Sequence, residues 1–263
     1  MTQIGIGRLA RPSSARYAGA MRLAVAQPTP FAPLQRRWMD ELVGPVPKET
    51  SATCNSCVKL APAGTAPGPE HYHPDSKCCT YMPMLHNFLV GALLADQDPA
   101  IAEGKATVEA RIDAGRAVTP VGLYATEEYL ARYDSGAKFG KDVSLRCPHY
   151  LVNRGGDCGV WKHRESTCSA WYCRHDRGET GRAFWRDGAA PLLRAAELAL
   201  AKWCAEYLGA SECEWGRWEG QPRALYAASA PLAANLSWAE VEAIGGDEVK
   251  RLAGVTQRLR DWE

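Results

Sequence analysis

Apolar residues recur at helical spacing through several separated stretches of the chain, and strand-like alternation is scarce. From Pro83 onward, Met84, Leu85, Phe88, Leu89 and Gly91–Leu94 predict a helix that ends at Asp96. Asp98-Pro99 offers an N-cap followed by proline in the first turn, starting a helix that turns Ile101, Ala102, Val108 and Ile112 inward. Thr119-Pro120 repeats that start signal, with Leu123, Tyr124, Tyr129, Leu130 and Tyr133 following at helical spacing. The clearest helix runs from Ala190 to Leu208, with Leu192, Leu193, Ala196, Leu200, Trp203, Cys204 and Tyr207 as its apolar stripe. Ser237 and Glu240 have capping-box spacing, and a last amphipathic helix covers Asp247 to Trp262. A short helical piece at Leu34–Val43 interrupts a proline-rich arm, and residues 61–74 form a Pro/Gly-rich loop. Residues 209–234 read as irregular, with a short strand near Leu225. Residues 134–185 lack long periodicity. The expected class is mainly α, a helical protein with an irregular cysteine-rich segment and little β.

Hydrophobic residues make up 46% of the 263 and charged residues 23%, so a packed globular chain is expected rather than a disordered one. Three regions are expected: a basic, Pro-rich, flexible extension over 1–48; a cysteine-cluster metal-binding domain with inserted helices over 49–185; and a helical region over 186–263 packed on it. The net charge of +1 argues against a polybasic nucleic-acid binder. It is a sum of unlike parts, because residues 1–39 hold six arginines and no acid, whereas residues 40–263 hold 25 basic and 30 acidic side chains. The arm reads as a flexible extension or as an early start ahead of Met21, and its composition also fits a transit segment. The longest apolar run, Phe88 to Ala95, is too short to span a bilayer and is broken by Gly91. No membrane partner is therefore expected, and the expected compartment is the cytoplasm, where clustered thiols stay reduced and bind metal.

Ten cysteines are the unusual feature. Cys54-x2-Cys57 is followed after twenty residues by the adjacent pair Cys78-Cys79, and a second group comprises Cys147, Cys158, Cys168 and Cys173. Cys204 and Cys213 stand apart. Two thiolates separated by two residues can point at one ion from a tight turn, and four sulfurs complete a zinc site or the corners of a 4Fe–4S cluster. The eight clustered cysteines are thus the candidate metal ligands. Side chains of adjacent residues diverge on a strand or a helix, so Cys78 and Cys79 are expected to serve two centres, or one to ligate and the other to support. His71 and His73 are weaker candidates. His149 and His175 are candidates to support the ligands rather than to be ligands.

Residues 138–186 carry ten Lys/Arg, among them Arg146, Arg154, Lys162, Arg164, Arg174, Arg177 and Arg182, against five Asp/Glu. Four thiolates around zinc or a four-iron cluster leave roughly −2 on the centre, and a basic neighbourhood would offset it. Trp161, Trp171, Tyr172 and Trp185 are expected to shield that centre, not to stack nucleic-acid bases.

Cys158-Gly-Val-Trp161-Lys-His-Arg164-Glu-Ser-Thr-Cys168 resembles the C-x-x-[Tyr/Trp]-x-x-Arg-x-x-x-Cys segment of the YkgJ family of zinc- or iron-chelating cysteine-cluster proteins. Cys54, Cys57, Cys78 and Cys79 resemble that family's opening CxxC and CC, Cys147 its intermediate cysteine, and Cys168 followed by Ser-Ala-Trp171-Tyr-Cys173 its aromatic shortly after that cysteine. The resemblance covers residues 50–185. It departs from the family in the twenty-residue spacer before Cys78 and in Glu165, which stands where the family has proline. It implies a bound metal, iron–sulfur or zinc. Related clusters occur in a flagellin lysine methylase, but no Gly-rich βα unit for such a cofactor is found here, since Gly5-x-Gly7 follows no strand. No P-loop, nucleophile elbow or HExxH is found either, and a thioredoxin-type reading of Cys54 and Cys57 lacks its strand and helix. The expected function is an iron–sulfur protein with a redox or modifying role and a protein or redox partner. The alternative is a non-catalytic zinc module; the sequence leaves open whether the chain is an enzyme.

Overall fold

Helix α2, Asn87–Ala95, has no polar face, and a helix apolar all round has to be buried all round. The computed structural model, which describes residues 31–46, 49, 54, 57–136, 138–210 and 220–260, places it at the centre of the molecule. Residues 87–91 and Leu93 are all buried, each large apolar side chain contributing roughly 1.5–3 kcal/mol. Around it lie α1 (Pro33–Val43), α7 (Ala190–Tyr207), α8 (Pro222–Ala234) and α9 (Trp238–Arg260). Trp38, Met39, Phe88, Leu89, Leu192, Leu193, Leu200, Val249 and Leu252 share one core, with Trp38 against Phe88 and Trp238 at ring distances of 6.5 and 6.3 Å. This core draws on all three expected regions of the chain. At Gly91 α2 meets α8 so closely that a Cβ would lie 1.9 Å from the Tyr226 carbonyl oxygen, so only glycine fits.

The other side of α2 faces a second core of Leu85, Val90, Leu93, Val108, Ile112, Val118, Leu123, Val160 and Tyr226. It is closed by α3 (Ala102–Ala114) and a small antiparallel sheet of β1 (Leu85–His86), β2 (Val118–Thr119) and β3 (Gly122–Leu123), in the order β1-β3-β2. Helix α4 (Glu127–Asp134) follows. The cysteine-rich segment then forms 3-10 turns, the two-residue ladder of β4 (Tyr150–Leu151) with β5 (Asp157–Cys158), and the short helices α5 (Ser166–Ser169) and α6 (Gly178–Ala183). The described residues are 58% helix and 5% strand, so the mainly α expectation is correct. None of their helices is long and apolar enough to cross a membrane.

Several expected elements differ. The helix expected from Thr119 is a β-turn with strands on either side, because Gly122, at φ +141°, lies against the Leu85 carbonyl; the helix starts later, capped by Thr126. The segment expected to be irregular contains α8, which Pro222 starts and which continues through Pro231. Ala102 is exposed rather than inward. Tyr207 ends the stripe of α7 at 66% exposure. The capped helix at Ser237 and the last helix are two, as expected, divided at Gly246, whose φ of +63° is not helical, and are labelled together here as α9. Cys213 and the arginine-rich start of the arm lie outside the described residues.

Candidate metal centre

Cys147, Cys158 and Cys168 hang on the second core and on α7. Val160 is 1% exposed in that core, with Cys158 packed against it. Gly159 meets Gly104 of α3 backbone to backbone, at a distance where a Cβ on Gly104 would lie 1.7 Å from the Gly159 oxygen. Gly159 N donates to His149 O at 2.8 Å, closing the β4–β5 ladder over Cys147. Glu165, at the position where the resembled family has proline, caps α5 by accepting from Thr167 N at 2.6 Å and Cys168 N at 3.0 Å. One residue on, Ser166 N donates to Glu197 of α7 at 3.0 Å, and Gln35 of α1 donates to that same carboxylate. The Cys168 turn is thereby anchored to two helices of the main core.

Burial, and then the Glu165 carboxylate, push Glu197 up to about 8. The folded protein therefore holds a proton on Glu197 that the unfolded chain, with a carboxyl near 4.3, releases, so this contribution is lost as pH rises from about 4.3 through about 8. His86, 4.0 Å from Glu197, and His149 have the opposite sign: burial holds them down to about 4 and about 3, so they destabilise the fold as pH falls below about 6.5. Between pH 6.5 and 8.5 the melting temperature is expected to fall by on the order of 5 °C, and Glu197→Gln to flatten that slope whatever its baseline. Parallel slopes in thermal melts of the two proteins would contradict this.

The remaining cysteines come in from the turns of residues 57–80. Cys147 N donates to Cys79 O at 2.7 Å, and buried Lys77 reaches from the same turn to Cys54 O. The adjacent thiols of Cys78 and Cys79 influence each other's protonation. Residues 74–80 are neither strand nor helix, and Lys77 has φ +51°, which frees the pair from the divergence those elements impose. Each acts on the other, which holds the Cys78 thiol down and pushes the Cys79 thiol up. Burial first, and then neighbouring thiols, push Cys54 and Cys147 up to about 12 and Cys173 to about 11. The thiols lie within electrostatic reach of one another: Cys54 of Cys78 and Cys158; Cys79 of Cys147 and Cys158; Cys147 and Cys158 of Cys78; Cys168 of Cys158 and Cys147; Cys173 of Cys78 and Cys57. All eight predicted cysteines are thus brought into one neighbourhood. Among the described residues, no three His, Cys, Asp or Glu side chains close on a single ion-sized point.

Cations face these thiols. Lys77, 4% exposed, donates to Cys54 O and to Gly155 O at 2.6 Å. Arg111 lies beside Cys147 and donates to Tyr124 O at 2.5 Å, its other side 3.2 Å from His149 Nε2. Arg164, 5% exposed, stacks on the Trp161 ring at 3.6 Å and lies near Cys54, Cys78, Cys158 and Cys168. Among the described residues, neither Lys77 nor Arg111 makes an ion pair with a carboxylate. The basic excess of residues 138–186 is otherwise a surface feature: Arg154 pairs with Asp157, Lys162 with Asp96, Arg177 with Glu49 and Arg182 with Glu179. Lys77 and Arg111 lie outside the expected basic segment, and a single basic residue on a turn or on α3 gives no sequence signal.

The histidines are occupied elsewhere. Nδ1 of His71 accepts from Gly68 N at 2.8 Å and Nδ1 of His73 from Asp75 N at 3.1 Å, so each organises its own loop. His149 is held by Thr107 at 2.7 Å and lies 3.2 Å from Arg111. His175 lies against Tyr172. The shielding rings also differ from expectation. Trp161 covers Arg164, but Trp185 belongs to the main core with Phe31 and Phe184, and Trp171 is 45% exposed against Phe139. Tyr72, beside Cys57, Cys78 and Cys173, and Tyr150, beside Cys79 and Cys54, are the nearer aromatic cover. No family model, curated protein or solved structure matches the chain.

Proposed function

We propose that this chain is a metal-binding protein whose clustered cysteines hold an iron–sulfur centre, probed by a protein redox partner and serving a redox or protein-modifying role. The observation that carries the reading is that buried Lys77 and Arg111 lie beside thiols and, among the described residues, pair with no carboxylate, while the Arg164 guanidinium also lies near the thiols. A buried cation needs an anion nearby, and neutral thiols do not supply one. Metal ligation converts the thiols to thiolates, releasing protons, and leaves the negative centre that these three cations offset. The donors fit an all-sulfur centre, since the nearby histidines bind backbone, Thr107 or Arg111. A bound cluster would supply one-electron transfer. The chain's own part is to position the sulfurs through α5, β5 and the 74–80 turn and to exclude water with Tyr72, Tyr150 and Trp161. The motif shared with the YkgJ family points the same way.

Anaerobic purification followed by iron, zinc and acid-labile sulfide analysis tests this. Brown protein with matched iron and sulfide is the expected result. Colourless protein with zinc and no sulfide would replace the redox reading with a zinc-stapled interaction module.

A further inference from the structure

Three loops that carry or adjoin the cysteines meet at the surface through aromatic rings. Trp171 stands between Cys168 and Cys173 and is 45% exposed. Its ring rests against Phe139 at 5.5 Å, and Phe139 in turn meets Tyr72 edge-on at 5.7 Å. Hydrogen bonds fasten the three loops together. Gly140 N donates at 2.7 Å to Oγ1 of Thr80, the residue after Cys79, and His73 N donates to Gly140 O at 2.7 Å. Tyr72 N donates at 2.8 Å to Lys59 O, in the turn that follows Cys57. Val58 on that turn is 42% exposed. The exposed apolar surface therefore belongs to the same loops as the thiols. Trp171 and Cys173, two residues apart, have Cα atoms no more than about 7 Å from each other.

Cations rim this surface. Lys59 follows Val58, Lys138 precedes Phe139, and Arg174 follows Cys173; all three are exposed. Among the described residues none of them pairs with a carboxylate, unlike the exposed Arg116, Arg132 and Arg154. We infer that this face docks an acidic electron-carrier protein, with Trp171 at its apolar centre and Lys59, Lys138 and Arg174 as its charged rim. This rests on the redox reading above and adds where the partner sits and what charge it carries. A charged rim that steers approach to a small apolar centre suits a transient electron-transfer encounter, which buries less than about 1,200 Å². In that encounter one electron leaves the reduced centre of the carrier and enters the oxidised cluster of this chain, and no atom is exchanged. A nucleic acid suits the face less well. Glu70 and Asp75, with side chains 66% and 69% exposed, stand on the same loops and interrupt the positive run that a phosphate backbone needs.

Surface plasmon resonance on the immobilised full chain tests this. The probes are a plant-type 2Fe–2S ferredoxin, which is an acidic carrier, cytochrome c, which is a basic one, and a single-stranded DNA oligonucleotide. Ferredoxin is expected to bind at low salt and to lose about tenfold in affinity at physiological salt, with no binding of cytochrome c. Lys138→Glu/Arg174→Glu is expected to weaken ferredoxin at least about tenfold, chiefly through slower association. Trp171→Ala is expected to weaken it about tenfold through faster dissociation. Lys250→Glu, at an exposed position on α9, changes neither. Circular dichroism establishes that the variants are folded, and the salt dependence of the unaltered chain depends on no variant. Ferredoxin binding that is absent or ignores salt, equal affinity for cytochrome c, or a preference for the oligonucleotide would each overturn the inference. So would a folded Lys138→Glu/Arg174→Glu chain that binds ferredoxin as the unaltered one does. Iron and sulfide analysis of the same samples separates the two failures. A brown protein that fails the binding test loses only the docking face, whereas a colourless one without sulfide loses the redox reading and this inference with it.

Discussion

Cys158→Ser and Cys168→Ser are each expected to cost at least half of the bound metal and to lower solubility, whereas Cys204→Ser costs neither. A serine hydroxyl is a hard, weakly acidic donor and does not replace a thiolate on zinc or iron–sulfur. Cys158 sits at the end of β5 against Val160, and Cys168 in the capped turn of α5, so each loss leaves the surrounding cations facing an incomplete anion. Cys204 has none of this company. It is fully buried on α7 within the main core, its sulfur 4.0 Å from the Ser229 carbonyl, where a serine hydroxyl finds the same acceptor. Metal content and melting temperature of the three variants check this, and full metal retention in the first two would refute their assignment as ligands.

Arg164→Gln is expected to weaken metal retention by about ten- to a hundredfold, the usual scale for groups that support ligands without touching the metal. The change removes a buried positive charge near four of the eight thiols and the stacking on Trp161. Arg164→Lys restores the charge without the planar stack, so partial recovery is expected. Arg182→Gln, at a surface ion pair with Glu179, serves as the neutral control. Competition with a chelator measures all three, and equal retention in Arg164→Gln and the unaltered chain would show that charge compensation is not what Arg164 does.

Where one apolar face dominated, the pattern along the chain was enough to read the element. Helix α7 starts and ends within a residue of its expected bounds, α1 lies where the arm's short helical piece was expected, and the Ser237 capping box forms with both of its hydrogen bonds. Helix α8 was not legible, because Pro222 and Pro231 read as breakers and its many small residues give little apolar contrast; close packing against Gly91 holds it. The Thr119 start signal failed for the opposite reason, since a tertiary contact of Gly122 with Leu85 overrode the local cap. At the site, cysteine spacing marked the thiols but not their company. Lys77 and Arg111 are visible as important only once folding turns them toward sulfur. Trp171 and Trp185 carried the same aromatic signal and went to opposite places, one to the surface and one to the core. Glu165 looked like a departure from a motif and is the cap of the helix that carries Cys168.

X-ray absorption at the metal edge of the chain as purified without oxygen tests the central claim most directly. A first shell of sulfur alone, at about 2.3 Å for zinc or at the comparable iron–thiolate distance, with metal–metal scattering if clusters are present, is the predicted result. A shell of nitrogen or oxygen, or a chain that binds no metal while all eight cysteines remain reduced, would contradict it.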